Sequence, residues 1–208
     1  PHTQSILEYN GAAIITMTGK NCVGIASDTR LGMQAQTVST DFKKIFKLHD
    51  KLYVGLPGLA SDVQTLASTL EFRMNLYKLE EERDMKPKVW CLGLLSSMLY
   101  ERRFAPIFVE PIVCGLDEDD KPFVSGMDLV GAQVFTDDFV VGGTSSENMY
   151  GMCESLYRKD MNPDELFEVL AQALLASVDR DALSGWGGVV HIITPEGVKT
   201  RTLRGRMD

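Results

Sequence analysis

Residues 11–30 read GAAIITMTGKNCVGIASDTR: two short runs rich in Ile and Val, separated by Gly19 and closing on Asp28-Thr29-Arg30. The runs at 12–18 and 22–27 have the composition of strands, and the Gly between them is a turn signal, so the stretch predicts a β-hairpin. A second pair, 45–48 and 51–56, repeats the pattern around Asp50. The chain therefore opens with sheet.

Outward from these hairpins the period changes. Between 60 and 83, Val63, Leu66, Ala67, Leu70, Met74 and Tyr77 recur at the i, i+3, i+4, i+7 spacing of a helix with one apolar face. A helix after Pro87, from Val89 to Leu99, is apolar nearly all round and is expected to lie between other elements. The second half repeats the order: strands at 107–116, 122–127 and 133–141, then helices at about 145–157 and 163–180. Asn162, Pro163 and Glu165 give the last helix a cap, a first-turn proline and a capping-box pattern. Strands at 187–194 and 198–203 flank the turn Pro195-Glu196-Gly197. Strands, helix pair, strands, helix pair, strands: this order predicts an α+β fold, two stacked sheets covered by helix pairs, an αββα sandwich. All 208 residues are read as one domain.

Composition narrows the function. Lys plus Arg number 21 against 29 Asp plus Glu, a net charge of −8, so no basic field exists to gather nucleic acid or anionic lipid. The longest apolar stretch falls short of the ~20 residues that cross a bilayer, and the opening PHTQSILEYN has no secretory pattern. The expectation is a protein of cytoplasm and nucleus without membrane or nucleic-acid partners. Cys22, Cys91, Cys114 and Cys153 are scattered with no CxxC pair, which suits reduced core thiols.

Several chemistries fail on spacing. No GxxxxGK[ST] or GxGxxG loop occurs. The acidic run Asp117 to Asp120 meets Lys121 and Pro122 where a calcium loop needs a ligand and a Gly, so it reads as a solvated turn. His2, His49 and His191 are too scattered for a metal cage, and His191 reads as a core or interface histidine.

What remains is an ordered set: Gly11-Ala12-Ala13, GIASDTR ending at Arg30, FKKIF around Lys44, GLPGLASD around Gly58, and DRDALSG from Asp179 to Gly185. Together, over essentially the whole chain, these resemble the proteasome beta-subunit family of N-terminal nucleophile hydrolases. The resemblance implies the four-layer αββα sandwich of that superfamily. Active members free a Thr by cleavage after a Gly; its hydroxyl attacks while its own α-amine serves as base. A Lys, acidic and Ser groups and a Gly amide support that chemistry.

Residue by residue, Asp28 matches the family's framework Asp, Lys44 its Lys, Gly58 its oxyanion Gly, and Asp181 with Ser184 its late Asp and Ser. Counting back sixteen residues from Asp28 puts Ala12 at the nucleophile position. A methyl group can neither attack nor release its own amine. The resemblance therefore implies a non-catalytic subunit with 1–11 retained as an N-terminal extension, and Asp28 and Lys44 reduced to a structural ion pair. The family's helper Ser is expected to be replaced by Gly142 in VVGGT.

The resemblance further implies partners: other beta subunits in a seven-membered ring, the opposite beta ring, and alpha subunits, together enclosing a proteolytic chamber. No cofactor is required. A structural Mg²⁺ is allowed, held by the backbone carbonyls of Val178, Asp181 and Ser184, with the carboxylate of Asp208 completing a neighbour's site. Asp128, with Gly131 three residues on, matches the segment that projects into an adjacent subunit's substrate channel; as a residue in its own right it also suits the cap of a turn. Two rival readings compete with this one: an active hydrolase using Thr3, Ser5 or Cys22, none of which follows a Gly, and a free-standing ligand-binding sandwich.

Overall fold

The computed structural model describes residues 5–83, 86 and 90–207. In chain order its elements are β1 (Ala13–Gly19), β2 (Cys22–Asp28), β3 (Leu31–Met33), β4 (Gln36–Ser39), β5 (Ile45–His49), β6 (Leu52–Gly55), α1 (Ala60–Glu81), α2 (Ser96–Glu101), β7 (Ile112–Leu116), β8 (Pro122–Met127), β9 (Gln133–Thr136), β10 (Phe139–Gly143), α3 (Ser146–Leu156), α4 (Pro163–Val178), β11 (Gly188–Thr194) and β12 (Gly197–Leu203). One sheet has the order β10-β1-β2-β11-β12 and the other β5-β6-β7-β8-β9, every pairing antiparallel; β3 and β4 form a separate hairpin.

Side-chain alternation along β1 shows how the layers stack. Ala13, Ile15 and Met17 point to one face and pack with Leu166, Leu170 and Leu174 of α4. Ile14 points to the other face, where it meets Ile25 of β2 and Ile112, Cys114 and Val124 of the second sheet. The second sheet's outer face, through Leu52, Val54 and Val113, packs on Val63, Leu66 and Leu70 of α1 and on Met98 and Leu99 of α2. Three apolar seams thus separate four layers, and the expected αββα sandwich is what forms. Burying each large side chain of β1 contributes about 1.5–3 kcal/mol, so this strand, buried along its whole length, anchors the fold.

α4 starts where its sequence says it should. Asn162 accepts from the Glu165 amide, and the Glu165 carboxylate accepts from the Asn162 amide, a complete capping box with Pro163 in the first turn.

Three expectations need correction. The run 133–141 is two strands in different sheets, because the chain crosses from one to the other at Asp137-Asp138. The Asp138 carboxylate accepts from the Phe139 amide there, and the Thr18 hydroxyl donates to the Asp137 carbonyl. The strand expected at 107–116 begins only at Ile112, after Pro111, which has no amide to give a ladder. The β3–β4 hairpin was not expected; strands of three and four residues, the second largely polar and neither fully buried, are too short to show an alternating pattern. Pro87 to Val89 lie outside the described residues. Beyond them a wide helical turn, Trp90–Leu95, leads into α2.

Cys22, Cys114 and Cys153 are buried and unbridged, as expected of core thiols. Burial pushes the Cys22 thiol up to about 11 and that of Cys153 up to about 12. The side chain of Cys91 lies outside the described residues.

Candidate active site

β1 begins beside the end of β2, because the two strands pair antiparallel with Ile14 opposite Ser27. That register sets the Asp28 carboxylate, fully buried, against the start of β1. Asp28 Oδ1 accepts from the Ala13 amide at 2.9 Å and from Lys44 Nζ at 2.6 Å; Oδ2 accepts from the Gly185 amide at 3.0 Å. Lys44, only 3% exposed, spends a second donor on the Gly11 carbonyl at 3.1 Å. One ion pair therefore ties together β1, β2, the start of β5 and the loop after α4. Burial lowers the pKa of Lys44, with the Asp28 charge and hydrogen bond opposing the shift.

Ala12, whose side chain is a methyl group, lies between Gly11, which holds Lys44 through its carbonyl, and Ala13, which holds Asp28 through its amide. Its carbonyl accepts from the Thr144 amide at 2.7 Å and lies 3.1 Å from the Thr144 hydroxyl. Its amide lies 3.4 Å from the same hydroxyl. Thr144 in turn donates to Asp181 Oδ2 at 2.6 Å, and Ser184 donates to that same oxygen at 2.5 Å. The expected loss of a helper hydroxyl at Gly142 is thus overturned. Gly142 pairs with Ile14 inside the sheet, and Thr144, two residues on, supplies the hydroxyl beside Ala12.

Two glycines are required by their surroundings. Gly11 has φ +74°, and a Cβ there would stand 1.8 Å from the Leu183 carbonyl oxygen. Gly58 has φ +141°, and a Cβ would stand 2.2 Å from the Phe108 oxygen. Gly58 lines a cleft with Pro57, Gly143 and Thr144, so the candidate oxyanion residue faces the same space as the hydroxyl beside Ala12.

Sequence reasoning missed Arg30, which the structure places at the hinge of the site. This buried guanidinium donates to the Leu183 carbonyl at 2.6 Å, the Thr37 hydroxyl at 3.0 Å and the Gln34 carbonyl at 3.1 Å. It clamps the Asp181 to Gly185 loop to the β3–β4 hairpin. A buried cation in a motif that also supplies Asp28 was the available signal, but its partners lie up to 153 residues away.

The remaining candidates are dispersed. Val178, Asp181 and Ser184 share a separate cleft of about 270 Å³ with Arg30 and Arg206, and the Val178 carbonyl accepts from the Asp181 amide at 3.0 Å. Asp208 lies outside the described residues. Asp128 is at the β8–β9 turn, where Oδ1 accepts from the Val130 amide at 3.0 Å and the Ala132 amide at 2.8 Å. It caps that turn and also lines a third cleft with Glu110; burial and the Asp128 charge raise the pKa of Glu110. His191 pairs its Nδ1 with the Thr200 hydroxyl and tilts over Tyr53 of the facing sheet. Asp117 caps its own turn through the Asp119 and Lys121 amides.

Neither of the described rival nucleophiles, Ser5 and Cys22, hydrogen-bonds to Asp28, Lys44 or Asp181. Cys22 is at the far end of β2 from Asp28, about 20 Å along a strand. Ser5 uses its hydroxyl to accept from the Leu7 amide. Thr3 lies outside the described residues.

Comparison with known proteins agrees with this geometry. The family model described as Proteasome subunit matches residues 8–193. The chain is 60% identical over 205 residues to proteasome subunit beta type-3 of Dictyostelium discoideum, 59% identical over 204 residues to that of Picea mariana, and 51% identical over 205 to that of Drosophila melanogaster. Each match covers 98% of this chain and the whole of the relative. With the sandwich, the buried Asp28–Lys44 pair and near-complete coverage in agreement, the chain belongs to the proteasome subunit family.

Proposed function

We propose that the chain is a non-catalytic beta subunit of the 20S proteasome core particle, similar to beta type-3. It serves as wall rather than blade of a chamber for ubiquitin-dependent and other intracellular protein degradation. The observation that carries this reading is Ala12. Thr144 binds its carbonyl, Lys44 and Asp28 hold the residues on either side, and Asp181 and Ser184 connect through Thr144, yet its side chain is a methyl group with no lone pair to attack and no acidic proton to transfer. With no hydroxyl to attack the preceding peptide bond, residues up to Gly11 stay attached, and the ion pair holds the Gly11 carbonyl. Its neighbours are beta subunits of a seven-membered ring, the opposing beta ring and alpha subunits, and its place is the cytoplasm and nucleus. Native mass spectrometry of the subunit purified from its source should find it in a multi-subunit particle. A monomer of 23.1 kDa would contradict the reading.

We further propose a structural Mg²⁺ held by the backbone carbonyls of Val178, Asp181 and Ser184, which share a cleft with Arg30 and Arg206, since hard cations take oxygen ligands. Among the described residues no group of three or more His, Cys, Asp or Glu is placed to hold a metal ion. Native spectra recorded before and after EDTA should differ by bound metal; identical masses would remove the ion.

Asp128 is assigned to a neighbour's substrate channel, where its carboxylate favours basic side chains by about 1 kcal/mol, near fivefold in kcat/KM. Support comes from its exposure and its place on a cleft wall beside Glu110. Asp128→Asn separates this role from the turn cap, because the amide oxygen still accepts from Val130 and Ala132. The expected result is an intact particle whose cleavage after basic residues falls about fivefold. An unchanged rate leaves Asp128 only its turn.

A further inference from the structure

The cleft beside Ala12 has an unexpected wall. Opposite Pro57, Gly58, Gly143 and Thr144 stand Ser5, Leu7 and Glu8 of the N-terminal segment. That segment is tied down at several points. Ser5 caps a single tight turn, Ile6–Glu8. The Tyr9 carbonyl then accepts from the Gln34 amide at 2.8 Å, and the Asn10 carbonyl from the Gly32 amide at 3.0 Å.

Asn10 makes the strongest attachment. Its Nδ2 donates to the Gly32 carbonyl at 2.8 Å, and its Oδ1 accepts from the Ala60 amide at 2.8 Å. Helix α1 needs that second bond. The residue before it is Leu59, whose side chain makes no cap hydrogen bond, so a carboxamide fifty residues earlier in sequence caps the helix instead.

We propose that the cleft is a peptide-binding groove whose ligand is the chain's own residues 5–8, a strap latched by Asn10 that shuts the groove to polypeptide passing through the chamber. The inference rests on the beta-subunit reading above. The space left beneath the strap is about 210 Å³, some seven water volumes at ~30 Å³ each and below the ~300 Å³ at which ligand pockets begin. A subunit that cannot cleave thereby also avoids holding peptide unproductively. Were the strap lifted, the exposed groove would keep Glu110 and Glu147 on its walls and would take basic peptides.

A thiol on the groove wall tests this in the assembled particle. Ser146→Cys places one outside the framework around Ala12. N-ethylmaleimide, small enough for the residual space, should modify it in every background. A maleimide carried on a Lys-containing tripeptide should react at least tenfold faster when the strap is released, either by Asn10→Ala or by deletion of residues 1–8, the second of which leaves the α1 cap in place. Equal tripeptide rates with and without the strap, in particles that assemble, would overturn the proposal. Failure to find any particle would instead count against the beta-subunit reading. Hydrogen exchange on the unaltered particle gives an independent reading: the Gly32, Gln34 and Ala60 amides should exchange slowly, and rapid exchange at all three would likewise overturn it.

Discussion

Replacing Asp28 with Ala is expected to cost about 3–5 kcal/mol of stability, two to four powers of ten in the folded-to-unfolded ratio. The carboxylate is fully buried and serves three donors from three parts of the chain: Lys44 Nζ, the Ala13 amide and the Gly185 amide. Removing it strands a buried ammonium and two buried amides at once. The exposed pair Lys47–Asp50, by contrast, should be worth at most about 1 kcal/mol, so Asp50→Ala is the matched control. A urea midpoint for Asp28→Ala equal to that of Asp50→Ala would show the buried pair to be dispensable.

The same pair gives a pH signature. Burial sets the folded pKa of Lys44 below its ordinary value, near 10.4 when unfolded. Between the lowered value and ~10.4 the unfolded chain binds more protons than the folded one, so stability attributable to this group rises with pH across that interval. Lys44→Met should flatten that rise.

Gly11→Ala is expected to be nearly as damaging, at about 2–5 kcal/mol. A left-handed φ of +74° costs an L-residue about 1–2 kcal/mol. The added methyl would also stand 1.8 Å from a backbone oxygen, that of Leu183, which itself accepts from Arg30. Relief requires moving either the segment whose carbonyl receives Lys44 or the loop whose amide supports Asp28, and overpacking of that kind adds about 1–3 kcal/mol. Gly151, in α3, has no neighbouring atom within 4 Å of such a methyl. Gly151→Ala should therefore be neutral or stabilising by up to ~1 kcal/mol. Equal melting temperatures for the two variants would contradict the account of the site's backbone.

Local patterns made much of the fold legible. The β1–β2 hairpin and the capping box of α4 are written within a few residues of each other, and helical periodicity located α1. The Asp28–Lys44 pair and its neighbours Asp181 and Ser184 came through family resemblance. What stayed hidden depends on partners distant in the chain. Asn10 caps a helix that starts fifty residues later, Arg30 binds a loop 153 residues away, and Thr144 joins Ala12 to Asp181 across three elements. The crossing at Asp137-Asp138 is masked because strand-like residues continue on both sides, so only the change of pairing partner reveals it. For Thr144, the expectation that the helper hydroxyl is lost at Gly142 stops two residues short, because nothing in VVGGT marks which residue faces Ala12.

The claim that Ala12 leaves this subunit without turnover is tested most directly by mass. Intact particles treated with a peptidyl epoxyketone, which captures an N-terminal Thr through its hydroxyl and amine, should yield adducts on other subunits. This chain should appear unmodified with its Gly11–Ala12 bond unbroken. An epoxyketone adduct on this chain, or a mature form beginning at Ala12, would contradict the account.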